Sequence, residues 1–287
     1  MSYRIIVDSC CDKTAPMAEW SNITFVPLTL EIGDYSIPDD ESFDQDDFIK
    51  RTVEYDGVAK TACPSPAAWA EAFDCEEDEL YVMTISAKLS GTYNSAVQGV
   101  ELYNEEHPDN NKKIHVFDSC ATSGLESITA EYMQRILSKG ISFEDAVPMI
   151  EDYLSNSCKL FFVLETLDVL KKNGRLGALA AGILKKLKVK MVFERTVDGF
   201  ISLTGQDFSI NKAYIKMANI IAKDVEGRDL SGCKLVISHV CCEDRAKFIA
   251  EKICELVDFG QVEIVKCSGL NSVYAANGGI LVSYSNK

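Results

Sequence analysis

Two hydroxyl side chains flank a glycine at the point where a predicted strand gives way to a predicted helix. Ser90, Gly91 and Thr92 follow an apolar run, and apolar residues beyond them recur at helical spacing. The first amides of a helix lack internal acceptors and carry the positive end of the helix dipole, and glycine lets a ligand approach the backbone. This pattern is typical of a site that binds an anion without a basic side chain. Alternatively, Ser90 only caps its own helix.

A threonine precedes a second predicted helix. Pro64 favours an extended backbone in the residue before it, and Ser65 followed by Pro66 is typical of a helix N-cap and first helical residue. Thr61 therefore lies on an extended segment, where its hydroxyl could face the same site as Ser90. The strand propensity of threonine explains its presence there equally well.

The composition limits the classes of partner. The chain has 287 residues, enough for one large domain or two ordinary ones, and we expect two. Its formal net charge is -15, from 44 acidic and 29 basic residues, which disfavours broad contact with nucleic acid or with an anionic membrane. An anionic ligand must therefore be bound by local dipoles or by a local cluster of basic residues.

No segment of the sequence indicates export, membrane insertion or metal binding. The apolar strand predicted at residues 5–7 leaves no room before it for a signal peptide, and no apolar run approaches the roughly 20 residues that span a bilayer. We expect a soluble cytoplasmic protein without stable membrane insertion. No two of the 11 cysteines have the two-residue separation typical of zinc ligands, so we expect reduced thiols, no metal site and no cofactor.

Strands and helices alternate along the first half of the chain, a pattern typical of a parallel sheet covered by helices. The pattern then changes, because predicted strands at 190–194 and 200–203 are joined by an Asp-Gly pair, a strong hairpin signal. We therefore predict an α/β fold of two domains with the ligand between them. The N-terminal parallel-sheet α/β domain comprises residues 1–157, and the C-terminal mixed α+β domain comprises residues 158–287.

A proline lies within one predicted strand, and a glycine ends one predicted helix. A single strand is predicted over 23–30, and Pro27 within it indicates an edge or entry strand because proline cannot donate to a ladder. A helix is predicted over 165–175, with Gly174 as its C-terminal cap.

Signatures of common enzyme classes are missing from the sequence. It has no glycine-rich dinucleotide fingerprint, no phosphate-binding loop and no Gly-x-Ser-x-Gly elbow. Of the three histidines, only His239 ends a strand near a plausible site, and a single histidine there is more often structural. We therefore assign no catalytic residue. The alternative is a hydrolase or acyl-transfer enzyme with Ser90 or Cys63 as nucleophile, for which the sequence offers no evident base.

A basic segment interrupts the acidic chain. No acidic residue occurs between Asp168 and Glu194, and a run of this kind is usually a solvated helix face. Alternatively, it is a phosphate-facing or docking surface, and the protein is an interaction module for an acidic partner. The basic segment contains seven bases: Lys171, Lys172, Arg175, Lys185, Lys186, Lys188 and Lys190.

Taken together, these motifs resemble those of the DegV family of bacterial fatty-acid-binding proteins. The resemblance implies a two-domain protein that is not an enzyme and that holds one long-chain fatty acid between its domains. It also implies a partner, a separate fatty acid kinase, to which the carboxylate is presented and which makes the acyl phosphate. The matching segments are Ile6-Val7-Asp8-Ser9 with Asp12, Val26-Pro27-Leu28, Lys60-Thr61 with Pro64-Ser65, Ile85-Ser86 with Leu89-Ser90-Gly91-Thr92-Tyr93, Phe117-Asp118-Ser119, Leu167 to Lys171 with Gly174-Arg175, Asp198-Gly199 and Ser238-His239.

The resemblance also implies roles for individual residues. Thr61 and Ser90 should bond the carboxylate with help from the amide of Gly91, and Arg175 matches an arginine that engages the phosphorylated head group or the kinase. Tyr274 stands where the family usually has a histidine. A phenol still donates to a carboxylate, but it does not become cationic near neutral pH. Further departures are Ala62 and Cys63, which replace the common Ser-Gln, and Met191, which stands where proline is frequent.

Overall fold

The computed structural model describes residues 2–177 and 189–286. In chain order the described strands are β1 (Tyr3–Asp8), β2 (Ile23–Val26), β3 (Thr29–Ile32), β4 (Tyr35–Pro38), β5 (Lys60–Ala62), β6 (Glu79–Thr84), β7 (Lys113–Asp118), β8 (Cys158–Val163), β9 (Lys190–Arg195), β10 (Ile201–Asp207), β11 (Lys234–His239), β12 (Gln261–Lys266) and β13 (Ile280–Ser285). The described helices are α1 (Gln45–Glu54), α2 (Pro66–Phe73), α3 (Thr92–Glu106), α4 (Gly124–Leu137), α5 (Phe143–Asn156), α6 (Asp168–Lys172), α7 (Ile210–Asp224), α8 (Glu243–Cys254) and α9 (Gly269–Ala275), and a 3-10 helix spans Ala15–Glu19. None of these helices combines the length and the apolar character needed to cross a bilayer.

The described strands form three sheets. A parallel sheet has the order β2-β1-β6-β7, and a mixed sheet has the order β10-β9-β8-β13-β11-β12. A small antiparallel sheet has the order β4-β3-β5. The predicted fold class is confirmed, because the parallel sheet lies in the N-terminal part of the chain and the mixed sheet in the C-terminal part. The boundary at residue 157 stays a prediction, and it falls between the end of α5 and the start of β8.

The central strands of the parallel sheet are apolar on both faces because helices cover both. Ile5 and Val7 of β1 are fully buried in the same cluster as Leu125 of α4, whereas Ile6 is buried on the other face with Trp69 of α2. Strands buried on both sides read as continuous apolar runs, as this one does. The sheet thereby fixes the loops that follow its strands.

Helix α4 lies between the parallel and the mixed sheets. It packs against β1 on one side and against β8, β11 and β13 on the other. At its start, a Cβ on Gly124 would lie 2.8 Å from Val236 Cγ1, so only glycine allows this close an approach to the mixed sheet. The two halves of the chain therefore share one apolar core, which includes Val7 and Phe162.

The structure corrects two of the predicted elements. The strand predicted over 23–30 is two strands, because the chain breaks at Pro27 between β2, an edge of the parallel sheet, and β3, the centre of the small sheet. The helix predicted over 165–175 is shorter and comprises only α6. The chain leaves it through Gly174, whose φ of 76° favours glycine.

Helix α9 is an element that the sequence analysis does not predict. Its first two amides, from Gly269 and Leu270, donate to the carboxylate of Asp39 at 2.7 and 2.8 Å. A carboxylate at a helix N-terminus satisfies free amides and complements the dipole. Because this carboxylate comes from a distant part of the chain, the local sequence around α9 carries little signal.

Candidate functional site

A largely apolar cavity lies where the small sheet and the loops after β6 and β7 meet one face of the mixed sheet. It holds about 770 Å³ of space free of protein atoms, part of it open to solvent. From the N-terminal part it is lined by Thr61, Ile85, Leu89, Ser90, Cys120, Ala121 and Thr122. From the C-terminal part it is lined by Leu160, Phe162, Leu164, Leu170, Arg175, Arg195, Gly199, Phe200, Ile201, Leu270, Asn271, Tyr274, Ala275 and Leu281.

The mixed sheet supplies one apolar wall of the cavity. Leu160 and Phe162 alternate along β8, so their side chains share one face, and Leu164 follows directly after the strand. All three line the cavity and belong to the same apolar cluster. Leu281 of β13 pairs directly with Phe162 and extends the same face. An alkyl chain lying on this wall would contact only carbon atoms of these side chains.

Two hydroxyls from different elements meet at one end of the cavity. Strand β5 pairs with β3 and places Thr61 opposite Leu30, while Tyr274 lies in α9. Thr61 Oγ1 and Tyr274 OH are 3.3 Å apart, and both residues are half-buried. The structure thus places Thr61 on a short strand, as its β propensity suggested, and also brings it to the predicted site.

Ser90 lies beside the N-terminus of α3 at the same end of the cavity. The N-cap residue is Gly91 and not Ser90. Ser90 Oγ lies 2.8 Å from Thr92 Oγ1 and accepts a long bond of 3.4 Å from the amide of Thr92. A Cβ on Gly91 would meet only Cys63 Sγ, at 3.6 Å, so the backbone at Gly91 is approachable. The contacts of Thr61, Ser90, Gly91 and Tyr274 with a ligand stay predictions.

Arg175 reaches the same loop from the C-terminal part. Its Nε donates to the carbonyl of Leu89 at 3.1 Å, and its Nη1 donates to the carbonyl of Asn173 at 2.5 Å. Asn173 in turn donates to the carbonyl of Ala59, 3.1 Å away, which ties α6 to the segment before β5. Arg175 is therefore a half-buried residue of the cavity rim that lies next to Ser90 in space.

The rest of the basic segment is only partly available as a positive surface. Lys171 and Lys172 are exposed. Lys190, by contrast, forms an ion pair with Glu165, which also binds Arg245 at 2.5 Å. Lys185, Lys186 and Lys188 lie outside the described residues.

Buried carboxylates hold the elements that carry the hydroxyls. Asp39 accepts from Ser9 Oγ at 2.9 Å as well as from the first amides of α9. Asp8 accepts from the amides of Ile85 and Cys10 at 2.7 and 2.9 Å. Burial raises the pKa of each of these two carboxyls to about 6 despite the hydrogen bonds that favour the charged form.

Asp12 and Asn271 form a second link between the two halves of the chain. Asp12 accepts from the amide of Ser268 at 2.7 Å and from Asn271 Nδ2 at 2.8 Å. Asn271 Oδ1 accepts from Thr122 Oγ1, which lines the cavity, at 2.7 Å. The polar end of the cavity is therefore positioned by side chains from both halves.

The lining of the cavity offers no general base to the nucleophile candidates. Among the described residues that line it, none is a histidine, aspartate or glutamate. His239 is buried elsewhere and accepts from the amide of Cys242 at 3.3 Å, a structural contact, and burial lowers its pKa. Cys63 is exposed beside Gly91. The described lining thus offers Ser90 and Cys63 no histidine or carboxylate as a general base.

Sequence reasoning missed Asp39, Asn271 and Arg195. Asp39 stood in an acidic run, and Asn271 lies in the helix that was not predicted. Arg195 is 8% exposed at the end of β9 and lines the cavity. A charged residue at an inward position of an apolar strand is the one signal that could have identified Arg195.

Known proteins resemble this chain along nearly its whole length. A sequence model described as "Uncharacterised protein, DegV family" matches residues 2–287. A DegV domain-containing protein of Streptococcus pneumoniae is 33% identical over 290 residues, covering 99% of both chains.

Solved structures with the same fold cover nearly the whole chain. A DegV family protein from Ruminococcus gnavus, described with vaccenic acid, superposes with a TM-score of 0.90 at 38% identity over 99% of both chains. The Streptococcus pneumoniae fatty acid kinase B3 protein, loaded with linoleic acid, gives 0.89 at 32% identity over 100% of both chains. A DegV family protein from Eubacterium eligens, loaded with heptadecanoic acid, gives 0.87 at 32% identity, again over 100% of both. The chain belongs to the DegV family.

Proposed function

We propose that this protein binds a long-chain fatty acid in the cavity and presents its carboxylate to a separate fatty acid kinase. The observation that carries the proposal is the form of the cavity, a long apolar wall that ends at three hydroxyl groups. In this arrangement the alkyl chain lies along Leu160, Phe162 and Leu164. The carboxylate accepts hydrogen bonds from Thr61 and Ser90, with Tyr274 and the amide of Gly91 beside them.

Neutral donors are sufficient for the head group. Hydrogen bonds to a charged group contribute about 1.5 to 3 kcal/mol each, and backbone amides at a helix N-terminus add to them. The half-buried position of Thr61 and Ser90 leaves the carboxylate reachable from solvent. A carrier needs both properties, because it must retain the acid and still expose the group that reacts.

The relatives support the ligand class. Three DegV family structures at 32 to 38% identity are described with vaccenic, heptadecanoic or linoleic acid. The apolar wall and the polar end of the present cavity suit any of these acids. Cytoplasmic location fits the proposal as well and stays a prediction.

The kinase partnership rests on one relative and on one side chain. The linoleate-loaded neighbour carries the name fatty acid kinase B3 protein. Arg175 lies at the cavity rim beside Ser90, where it can meet a phosphorylated head group, and the exposed Lys171 and Lys172 lie in the same segment. A positive surface in a chain of net charge -15 also suits an acidic partner protein.

A charge reversal tests the partnership separately from lipid binding. In an assay of ATP-dependent acyl phosphate formation with a fatty acid kinase catalytic subunit, loaded wild-type protein should support turnover. Arg175→Glu should abolish turnover while the bound acid is retained, whereas Lys139→Glu, an exposed charge reversal after α4, should behave as wild type. Full turnover in Arg175→Glu would contradict the assigned role.

We propose further that the protein is not an enzyme. The alternative, a hydrolase or acyl-transfer enzyme with Ser90 or Cys63 as nucleophile, requires a base that the described cavity lining lacks. Hydrolysis of acyl esters that disappears in Ser90→Ala would favour the alternative. Binding of free fatty acid without turnover would favour the carrier.

A further inference from the structure

A buried guanidinium lies on the apolar wall of the cavity. Arg195 is the last residue of β9 and lies two positions beyond Phe193, so its side chain points to the same face. Phe193 pairs with Phe162 of the wall, and Arg195 pairs with Ile201, which also lines the cavity. Arg195 is thus the one charged side chain in this part of the described lining, and it is only 8% exposed.

Only part of this guanidinium is satisfied. Nη2 donates to the carbonyls of Leu154 and Cys158 at 2.5 and 2.6 Å, which ties down the end of α5. Nη1 is buried and has no hydrogen-bond partner among the described residues. A buried donor without a partner costs about 1 to 3 kcal/mol, and more when it is charged.

No carboxylate of the described residues pairs with Arg195. Asp118 attracts the guanidinium electrostatically but forms no hydrogen bond with it. The Oδ1 of Asp118 already accepts from the amides of Ala87 and Cys120. A buried charge normally persists only where an anion or several acceptors face it. Because Arg195 lines the cavity, a ligand bound there can bring such an acceptor to the guanidinium.

Arg195 and Tyr274 lie near different ends of β8. The carbonyl of Cys158 that it binds is at the start of β8, whereas Val163, at the other end of that strand, pairs with Ile280 just after α9. Five residues of strand separate the two positions, roughly 16 Å at about 3.3 Å per residue. Arg195 is therefore near the start of β8 and the end of α9, which carries Tyr274, is near its other end, with the apolar wall between them.

We propose that the preferred ligand is a fatty acid with an oxygen function remote from its head group, and that this oxygen accepts a hydrogen bond from Arg195 Nη1. The function is a hydroxyl, an oxo group or a second carboxylate, all of which present the acceptor that the buried guanidinium lacks. This inference rests on the proposed function and specifies its substrate class. A purely structural Arg195, which only holds α5, would make such oxygen atoms unfavourable in an otherwise apolar cavity.

Competition binding by native mass spectrometry tests the inference on the full chain. The probes are hexadecanoic acid, its terminal hydroxy derivative, a mid-chain hydroxy derivative and the corresponding dicarboxylic acid. We expect at least one derivative to bind wild-type protein more tightly than hexadecanoic acid does. If no derivative binds more tightly than hexadecanoic acid, the inference is wrong although the proposed function stands. If no acid binds at all, both are wrong.

Variants of Arg195 then identify the group responsible. Arg195→Met should lower the affinity for the preferred derivative, relative to hexadecanoic acid, by about tenfold or more, the loss expected for one charge-assisted hydrogen bond. Arg195→Lys keeps the charge and should retain more of the preference. An unchanged ratio in a folded Arg195→Met protein would overturn the assignment, and if that variant does not fold, the wild-type ranking decides.

Discussion

The two ends of the cavity differ in the polar groups that they offer a ligand. At the polar end, three neutral hydroxyls from Thr61, Ser90 and Tyr274 are half-buried and line the proposed site for the carboxylate. At the inner end, a positive charge on Arg195 is buried among apolar side chains with one nitrogen unpaired. We therefore expect the carboxylate of the ligand at the end with the neutral hydroxyls. We expect its alkyl chain at the end with the buried charge of Arg195.

This difference shows how a strongly acidic chain can hold an anion. In the proposed site the hydroxyls supply the hydrogen bonds and Arg175 lies at the rim, while buried carboxylates such as Asp39 face backbone amides of the scaffold. A neutral donor keeps the carboxylate of the ligand reactive, because no tight ion pair must be broken when it leaves. No group of the ligand has to react at the inner end, so the charge of Arg195 there can instead select between ligands.

Removing the hydroxyls should have the largest effect. Thr61→Val with Ser90→Ala removes two donors to a charged group, each contributing about 1.5 to 3 kcal/mol, so retention of lipid should fall by about a hundredfold or more. Acid binding measured by calorimetry checks this. The matched control is Thr52→Val with Ser138→Ala, whose hydroxyls bond only to their own helices. Unchanged binding in the first double variant would disprove the site assignment.

The carboxylate behind the polar end should make stability depend on pH. The pKa of Asp39 is raised from 3.8 to about 6 in the folded protein, so the folded state binds this proton more tightly than the unfolded chain does. Its contribution is complete below about pH 4 and is lost as the pH rises through about 6. Between about pH 4 and pH 7, wild-type protein should lose up to about 3 kcal/mol relative to Asp39→Asn.

Urea unfolding of both proteins across this range provides the measurement. Because both chains share every other titrating group, the difference between their free energies of unfolding isolates Asp39. A difference that stays constant with pH would show that Asp39 titrates at its ordinary pKa in the folded protein.

Filling the inner end should change chain-length preference without touching the head group. Ile201→Trp places a larger side chain beside Arg195 on the cavity wall. Overpacking costs about 1 to 3 kcal/mol, so affinity for long acids should fall about tenfold while short acids bind as before. Val262→Trp, on the partly exposed strand β12, is the matched control. Equal losses for short and long acids would place the alkyl chain elsewhere.

The smallest effect should come from the phenol at the polar end. Tyr274→Phe removes one neutral donor and the contact with Thr61 Oγ1, a loss of about 0.5 to 1.5 kcal/mol, or roughly two- to tenfold in affinity. Tyr55→Phe, at an exposed position, should change nothing. A larger loss than that of the Thr61 and Ser90 double variant would make Tyr274 the principal ligand of the carboxylate.

Local signals explain which parts of this structure the sequence predicts. Ser65 caps α2 as predicted, since its Oγ accepts from the amide of Ala68 at 3.2 Å, and the Asp-Gly pair joins β9 to β10 with Gly199 at a φ of 82°. These features depend on neighbours in the chain. The brief helix α9 depends instead on Asp39, more than two hundred residues away, so no pattern within α9 could predict it.

The same distinction applies to the candidate site. Thr61 and Ser90 were identifiable because each precedes a helix with a recognisable start. Arg195 offered only one signal, a charge in an apolar strand, because its position beside the wall residue Phe162 depends on the pairing of β9 with β8. A residue that reaches a site through the pairing of distant strands leaves no spacing pattern in the sequence that would identify it.

Mass spectrometry of the gently purified protein, sprayed intact under native conditions and compared with an organic extract of the same sample, tests the central claim most directly. We predict one fatty acid per chain, released on extraction, whose mass also reports any additional oxygen. An empty protein that also refuses added fatty acids would contradict the carrier function.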